Sequence, residues 1–480
     1  MKKLATAITA IALIGTPAFA ADMAVKAPPP APAPAPPIPI WTGCYVNAGA
    51  GYGMYSQNHQ LTELGASLTP DWTNGGEGWL GLVGGGCDYQ FSTTSLGNWV
   101  VGAFADYDFM DLHGDFSGAA SFGGREKESG AWAVGGRIGY LVTPAILAYF
   151  NGGWTGTRFD GVNIIDSTNG GPIGESLSAH TFSGGFIGGG TEIAVQALPG
   201  LFWRNEYRYS SYGAADLAYS VGVDGEHATK HVQTITSSLV WKFGAPVYKA
   251  APQPGAPVYK AAPPPSSPIP VWTGCYVNAG AGYGMYSQNH QLIEHGVPFS
   301  VYQTNGGEGW LGLVGGGCDY QFSTGSLGNW VVGAFADYDF MDLHGDFSQA
   351  NFGFEGREKE SNASAVGGRI GYLVTPAILA YFNGGWTRTR FDSVNIVEFN
   401  GAPSGEFLPA NTFSGGFIGG GTEIAVQALP GLFWRNEYRY SSYGSADLAY
   451  SGSGGVEIEH ETKRVQTITS SLVWKFNWGH

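Results

Sequence analysis

Residues 41–243 recur at 272–476 almost letter for letter, and the places where the two copies differ constrain what either can fold into. Trp41-Thr-Gly-Cys-Tyr-Val-Asn returns at Trp272, an offset of 231 (272 − 41). The offset is still 231 at Cys87/Cys318 and Trp99/Trp330, becomes 232 at Arg125/Arg357, returns to 231 at Thr181/Thr412 and ends at 233 at Phe243/Phe476. Length changes are thus confined to 117–125, 160–180 and 219–232, while 62–73 keeps its length and changes its letters. Insertions and substitutions concentrate in exposed loops, so each copy is expected to carry four long loops separated by invariant segments.

The invariant segments read as strands. They run over Trp41–Tyr55, Gly78–Phe91, Asn98–Leu112, Ser129–Leu141, Ile146–Phe159, Thr181–Gln196, Leu201–Leu217 and Val232–Phe243. Short turns at Ser92–Gly97, Val142–Ala145 and Ala197–Gly200 alternate with the four variable windows. Eight strands with short turns at one end and long loops at the other match a bacterial outer-membrane β-barrel. The expected fold is therefore all-β: two tandem eight-stranded antiparallel transmembrane barrels joined by a Pro-rich linker.

The chain opens like a secretory signal. Lys2-Lys3 precede an apolar run, Leu4–Ile14, and Ala18-Phe19-Ala20 forms a small-x-small cleavage site. The domain reading is a signal peptide at 1–20, a Pro/Ala-rich periplasmic segment at 21–40, a first barrel at 41–243, a linker at 244–270 and a second barrel at 271–480. The linker repeats Gly-Ala-Pro-Val-Tyr-Lys-Ala-Ala-Pro from Gly244 and again from Gly255. Such a sequence favours extended polyproline conformation, and its 27 residues reach about 80 Å at ~3.1 Å each. An even-stranded barrel has both ends on the periplasmic side, so this linker joins two barrels without crossing the membrane. No later stretch approaches 18 apolar residues, so a membrane-embedded mature chain must span with strands.

Composition agrees. Charged residues are 13%, against about 25% in ordinary soluble domains, and glycine and aromatics fill the difference. The formal charge of −15 argues against nucleic acid as a partner.

Alternation assigns the faces. Ile235, Leu239, Trp241 and Phe243 share one parity of the last strand, and Trp203, Tyr207 and Tyr209 one parity of the seventh. The opposite parity carries the charge: Asp106, Asp108, Arg137, Glu192, Arg204, Glu206, Arg208 and Lys242. A lipid-facing Arg or Lys costs about 2–4 kcal/mol at mid-membrane, so this parity is expected to face inward. An eight-stranded barrel has room only for its own side chains. The eight groups are therefore expected to form a paired network filling the lumen rather than a conducting path.

Cys44/Cys87 and Cys275/Cys318 each fall on neighbouring strands near the turn end, on the outward parity. An oxidising compartment and an even count favour one disulfide per copy; the rival reading is small interfacial hydrophobes left reduced. His59 and His113, with His290 and His344, lie beside the loop starts and read as solvated loop residues. Gly84-Gly85-Gly86 and Gly188-Gly189-Gly190 lack the strand–loop–helix setting of a phosphate site and read as packing glycines in a curved sheet. No catalytic constellation, metal set or cofactor motif stands out, and no enzyme activity is expected.

Trp41-Thr-Gly-Cys-Tyr-Val-Asn-Ala-Gly-Ala-Gly-Tyr-Gly resembles the opening strand of the small alphaproteobacterial outer-membrane immunogenic-protein (porin-like) family, related in fold to the OmpA transmembrane barrel. The segment from Ala21, the Trp99-Val-Val-Gly-Ala-Phe-Ala-Asp-Tyr run and the Trp203-Arg-Asn-Glu-Tyr-Arg-Tyr run are similar to that family too. The resemblance implies an abundant surface barrel in the Gram-negative outer membrane, surrounded by lipid and lipopolysaccharide and inserted by the barrel-assembly machinery. It implies a structural, envelope-integrity role, with variable extracellular loops. Two departures stand out: Cys44 replaces the family's usual aromatic or aliphatic residue, and neither Phe243 nor Phe476 ends the chain. The alternatives are a porin-type passive channel, sixteen-stranded or a leaky eight-stranded barrel, and a loop-mediated receptor or adhesin, for example for haem.

Overall fold

The computed structural model describes residues 40–243 and 271–476, apart from 70, 94–96, 118–121, 196–197, 222–223, 325–327, 350–353, 399–401, 427–428 and 453–456. The expected signal peptide, the Pro/Ala segment as far as residue 39, the linker 244–270 and the terminal 477–480 lie outside the described residues. Among the described residues the protein is antiparallel β-sheet without helix.

The first repeat contributes eight main strands: β1 (Gly43–Glu63), β2 (Trp72–Thr93), β3 (Gly97–Ser117), β4 (Phe122–Thr143), β5 (Ile146–Phe159), β6 (His180–Ala194), β7 (Leu201–Tyr212) and β8 (Asp224–Lys242). The second repeats them as β9 (Gly274–Glu294), β10 (Gln303–Ser323), β11 (Asn329–Gln349), β12 (Phe354–Thr375), β13 (Ile378–Phe391), β14 (Asn411–Ala425), β15 (Leu432–Tyr443) and β16 (Glu457–Phe476). Their alternation of buried and exposed residues is the period-2 pattern of a sheet that buries one face. Gly97 and Gly200 take positive φ, +78° and +92°, where the chain reverses tightly at the turn end.

Each main strand is hydrogen-bonded on both sides. β1 pairs with β2 and also with β8. Following partners from Cys44 leads through Cys87, Ala103, Gly136, Gly152, Ile187, Tyr209 and Gln233 to Met54, on the starting strand but ten residues along (54 − 44). The same path from Cys275 ends at Met285, again ten residues along (285 − 275). A stagger of ten residues over eight strands corresponds to a tilt of about 40°, from the ordinary rise and spacing of strands.

Several strands, β1, β2, β3, β4 and β8, are longer than the invariant segments, while β5 matches its segment and β6 and β7 end earlier. β1 continues to Glu63 instead of stopping near Tyr55, β2 begins at Trp72 and β8 at Asp224. Much of what reads as long loop is continued ladder, tipped by small additions such as Ala66–Ser67, the Val162–Asp166/Pro172–Leu177 hairpin and Ala215–Ala218. The physical reason is that a ladder's backbone hydrogen bonds do not depend on which polar side chains project from it. Sequence change there therefore need not mean irregular backbone.

The apolar core lies inside. At the loop end Tyr55, Leu112, Phe159, Phe182, Tyr212 and Val232 belong to one buried cluster; at the turn end Trp41, Tyr45, Val100, Leu147, Phe202 and Val240 form another. The outer face presents an apolar belt, with Val46, Val83, Val134, Ile138, Ile187 and Leu239 exposed between two sets of aromatics. Tyr89, Tyr140 and Trp241 stand toward the turn end, and Trp79, Phe109 and Trp154 toward the loops. Apolar patches this extensive are rare on water-facing surfaces and characterise the outside of lipid-embedded barrels.

Candidate functional site

The inward parity of β2, β4, β6, β7 and β8 places charge between the two apolar clusters. Asp88 and Glu192, both fully buried, are shared by three cations. Arg137 donates to Asp88 through Nε (2.9 Å) and Nη2 (2.5 Å) and to Glu192 through Nη1 (2.9 Å). Arg204 donates to Glu192 at 2.8 and 3.0 Å, and Lys242 lies 2.7 Å from Asp88 and 3.3 Å from Glu192. The Tyr45 ring faces both guanidinium groups, at 5.0 and 4.7 Å from its centroid. Trp41, packed on Phe202 and donating to the Pro144 carbonyl at 3.0 Å, covers this cluster from the turn end.

One layer further in, Arg208 forms a two-pronged pair with Asp106 (2.9 and 2.6 Å), donates to Glu206 at 2.9 Å and stands 3.7 Å from Asp108. Tyr149 donates to Glu206 at 2.6 Å. A small internal cavity here is lined by Asn47, Leu82, Asp106, Arg204, Glu206 and Arg208, among others. All eight charged residues singled out from sequence therefore lie on the interior of the first repeat, in two adjoining layers. The second repeat reproduces both: Arg369, Arg435 and Lys475 on Asp319 and Glu423, and Arg439 on Asp337 and Glu437.

A third layer, absent from the sequence reading, sits at the loop end. Lys230 pairs with Glu126 and lies 3.8 Å from the Phe159 ring centroid, while Thr157 donates to Glu128 at 2.5 Å. These carboxylates fall in or beside a variable window, which masked them as loop residues. A register irregularity between Glu128 and Gly130 switches the parity of β4, so Glu126 and Glu128 face inward above it and Arg137 below it. Asp88 was also missed, although its parity matches the other inward groups of β2.

His59 and His290 are not solvated loop residues. Each is buried, His59 beside Asn74 and 3.2 Å from Glu226, His290 2.5 Å from Glu459. The continued β1 and β9 ladders carry their inward parity up to these positions. His113 and His344 are partly exposed, next to Asp111 and Asp342. Asp111 also accepts from Lys127 at 2.6 Å, and Asp342 from Lys359 at 2.6 Å.

Cys44 is bonded to Cys87 and Cys275 to Cys318, each across a directly paired position of the first two strands of its repeat. Among the described residues, no cluster of His, Cys, Asp and Glu has the geometry of a metal site.

No sequence-family model matches the chain. Among solved structures, the chain is similar to Neisserial surface protein A at 12% identity and a TM-score of 0.22, covering 42% of this chain and 98% of that one. A Pseudomonas aeruginosa FadL homologue gives 12% identity and a TM-score of 0.27, over 91% of each chain. Among curated proteins, the 31 kDa outer-membrane immunogenic proteins of Brucella melitensis and Brucella suis are each 30% identical over 245 residues, which is 48% of this chain and 96% of theirs. With nearly the whole length of these relatives matched, the chain belongs to the outer-membrane immunogenic-protein family.

Proposed function

We propose that this protein is a structural component of the outer membrane: two tandem eight-stranded transmembrane barrels, residues 41–243 and 271–480, tethered by the Pro-rich linker 244–270. Each barrel has a stagger of ten residues, and both chain ends of each face the periplasm, reached by way of the signal peptide at 1–20. In this reading the barrel-assembly machinery inserts the chain among lipid and lipopolysaccharide, and the loop-end hairpins face outward. The protein stiffens the envelope and performs no catalysis.

The observation that carries the proposal is the filled interior. Trp41 and its cluster cover the turn end, Tyr55, Phe159 and Phe182 fill the loop end, and between them the charged groups are paired across the lumen. Interiors of this width are occupied by side chains rather than water. A barrel so filled is a rigid post in the membrane, in which buried carboxylates and guanidinium groups hold opposite walls together. Porin-type conduction would need those layers to open.

The test is loss of the protein from a producing bacterium. Without it, cells should become more permeable to detergent and to large hydrophobic antibiotics, and the full-length gene should reverse the defect. Versions with the tips of the loop-end hairpins trimmed should reverse it equally. An intact barrier in the deleted strain, or a requirement for the hairpin tips, would shift the role from structure to recognition by the loops.

A further inference from the structure

Outward positions of β1, β2 and β8 do not all behave as lipid-facing ones. Met54, Ser56 and Gln233 share the parity of exposed Val46 and Leu239, yet they are 0%, 4% and 2% exposed. Their repeats Met285, Ser287 and Gln466 are 0%, 1% and 2% exposed. What covers each set is the other repeat. Glu77 on β2 meets Arg464 on β16 at 2.7 Å, and Glu308 on β10 meets His231 on β8. Tyr52 lies edge-on to Tyr440 (5.4 Å), and Tyr209 to Tyr283 (5.5 Å). At the turn end Ile146, Ile193, Ile378 and Ile424 form a single buried cluster, although all four are outward residues.

We propose that the two repeats pack side by side in the membrane as a pseudo-two-fold pair, each repeat presenting to the other the same face, made toward the loops by β1, β2, β7 and β8 and at the turn end by the start of β5 and the end of β6. This inference rests on reading each repeat as a separate barrel.

Two physical arguments support it. The contacts are reciprocal, which is the signature of an isologous interface: what residue i of one unit does to j of the other, j does to i. Position 75 shows the same closeness: a Cβ built there would stand 3.1 Å from the Gly306 Cα, and one at 306 would stand 3.1 Å from the Gly75 Cα. The backbones of β2 and β10 meet here, with a ladder pairing between Asn74 and Asn305 beside this pair of glycines. Fusion then makes the association intramolecular, and a tether that can span the sites raises effective concentration into the millimolar range.

Fusion also permits what identical subunits cannot have, a different residue in the two symmetric places. His231 opposes Glu308 where Arg464 opposes Glu77.

The test uses the full chain in outer membranes, with a protease site placed in 244–270. In a Tyr52→Cys/Tyr440→Cys variant, a short bis-maleimide should join the two repeats. After linker cleavage and heating, the halves should still migrate at the mass of the whole chain. Replacing Glu77 and Glu308 by Arg should reduce the cross-link several-fold, and pairing Glu77→Arg with Arg464→Glu should restore it relative to Glu77→Arg alone. A product of twice the chain mass would show that the face joins different chains and would overturn the proposal. Free halves, with both cysteines labelled by a monofunctional maleimide, would overturn it as well. In unheated samples each cleaved half should run as a compact species that shifts on heating. If that shift persists without a cross-link, only the pairing fails; if the shift is absent, the two-barrel reading fails and takes the pairing with it.

Discussion

Glu192→Gln isolates the energetics of the buried charge layer. The Glu192 carboxylate is fully buried and accepts from Arg137 at 2.9 Å and from Arg204 at 2.8 and 3.0 Å, with Lys242 at 3.3 Å. In the native layer three cations share two carboxylates, Asp88 and Glu192. The amide is close in shape but neutral, so Arg137 and Lys242 would keep Asp88 while Arg204 would lose the carboxylate it donates to. Removing one partner of a buried pair typically costs about 3–5 kcal/mol, because the remaining charge is left without compensation. The cost should sit at the upper end of that range here, since the substitution removes the charge that two guanidinium groups and an ammonium all approach. Glu423 holds the same place in the second repeat and is an internal control. Denaturant unfolding of the full chain in detergent micelles, followed by the heat- and denaturant-sensitive gel shift of each half, should show one repeat destabilised by that amount and the other unchanged. A loss below about 1 kcal/mol, the ordinary worth of an exposed ion pair, would refute the argument that this layer holds the barrel walls together.

Other substitutions rank differently. Asp108→Asn touches a carboxylate standing 3.7 Å from Arg208, which keeps its two-pronged pair with Asp106, so it should cost clearly less than Glu192→Gln in the same unfolding assay. Replacing Cys44 and Cys87 by Ser opens a cross-link between residues 43 apart, and should lower stability by about 2–4 kcal/mol relative to the oxidised protein. Gly49→Val would put a Cβ 2.2 Å from the Ser237 carbonyl oxygen, a backbone atom that cannot turn aside; unfolding should show a loss of at least about 1–3 kcal/mol, or no folded first repeat. Shortening the loop-end hairpin tip within Thr168–Gly170, with the buried Ser167 kept, should leave the stability within about 0.5 kcal/mol of the parent, because those three residues are exposed.

The repeat, the alternation and the length changes made the strand order legible, and β5 runs over the same Ile146–Phe159 read from the letters. The inward parity was legible wherever charge alternated with aromatics, as in β7 with Arg204, Glu206 and Arg208 against Trp203, Tyr207 and Tyr209. The strand ends were not, because variable polar letters read as loop while the ladder beneath them continues; His59, Glu126, Glu128 and Lys230 were lost with those ends. The irregularity at Ser129 was illegible for a related reason, since a one-residue parity change leaves no composition signal. Glu77 and His231 were legible only as exceptions: charged or titratable residues on an otherwise apolar parity, whose meaning needed the opposite repeat to be in place.

The central claim is that each repeat closes around a filled interior. The most direct measurement is ionic conductance of the full-length protein reconstituted in a planar bilayer. The account predicts silence, or only rare small flickers, because apolar clusters close both ends of each interior and the charges between them are paired. Large, steady, stepwise openings would contradict it and favour a single wide barrel built from both repeats.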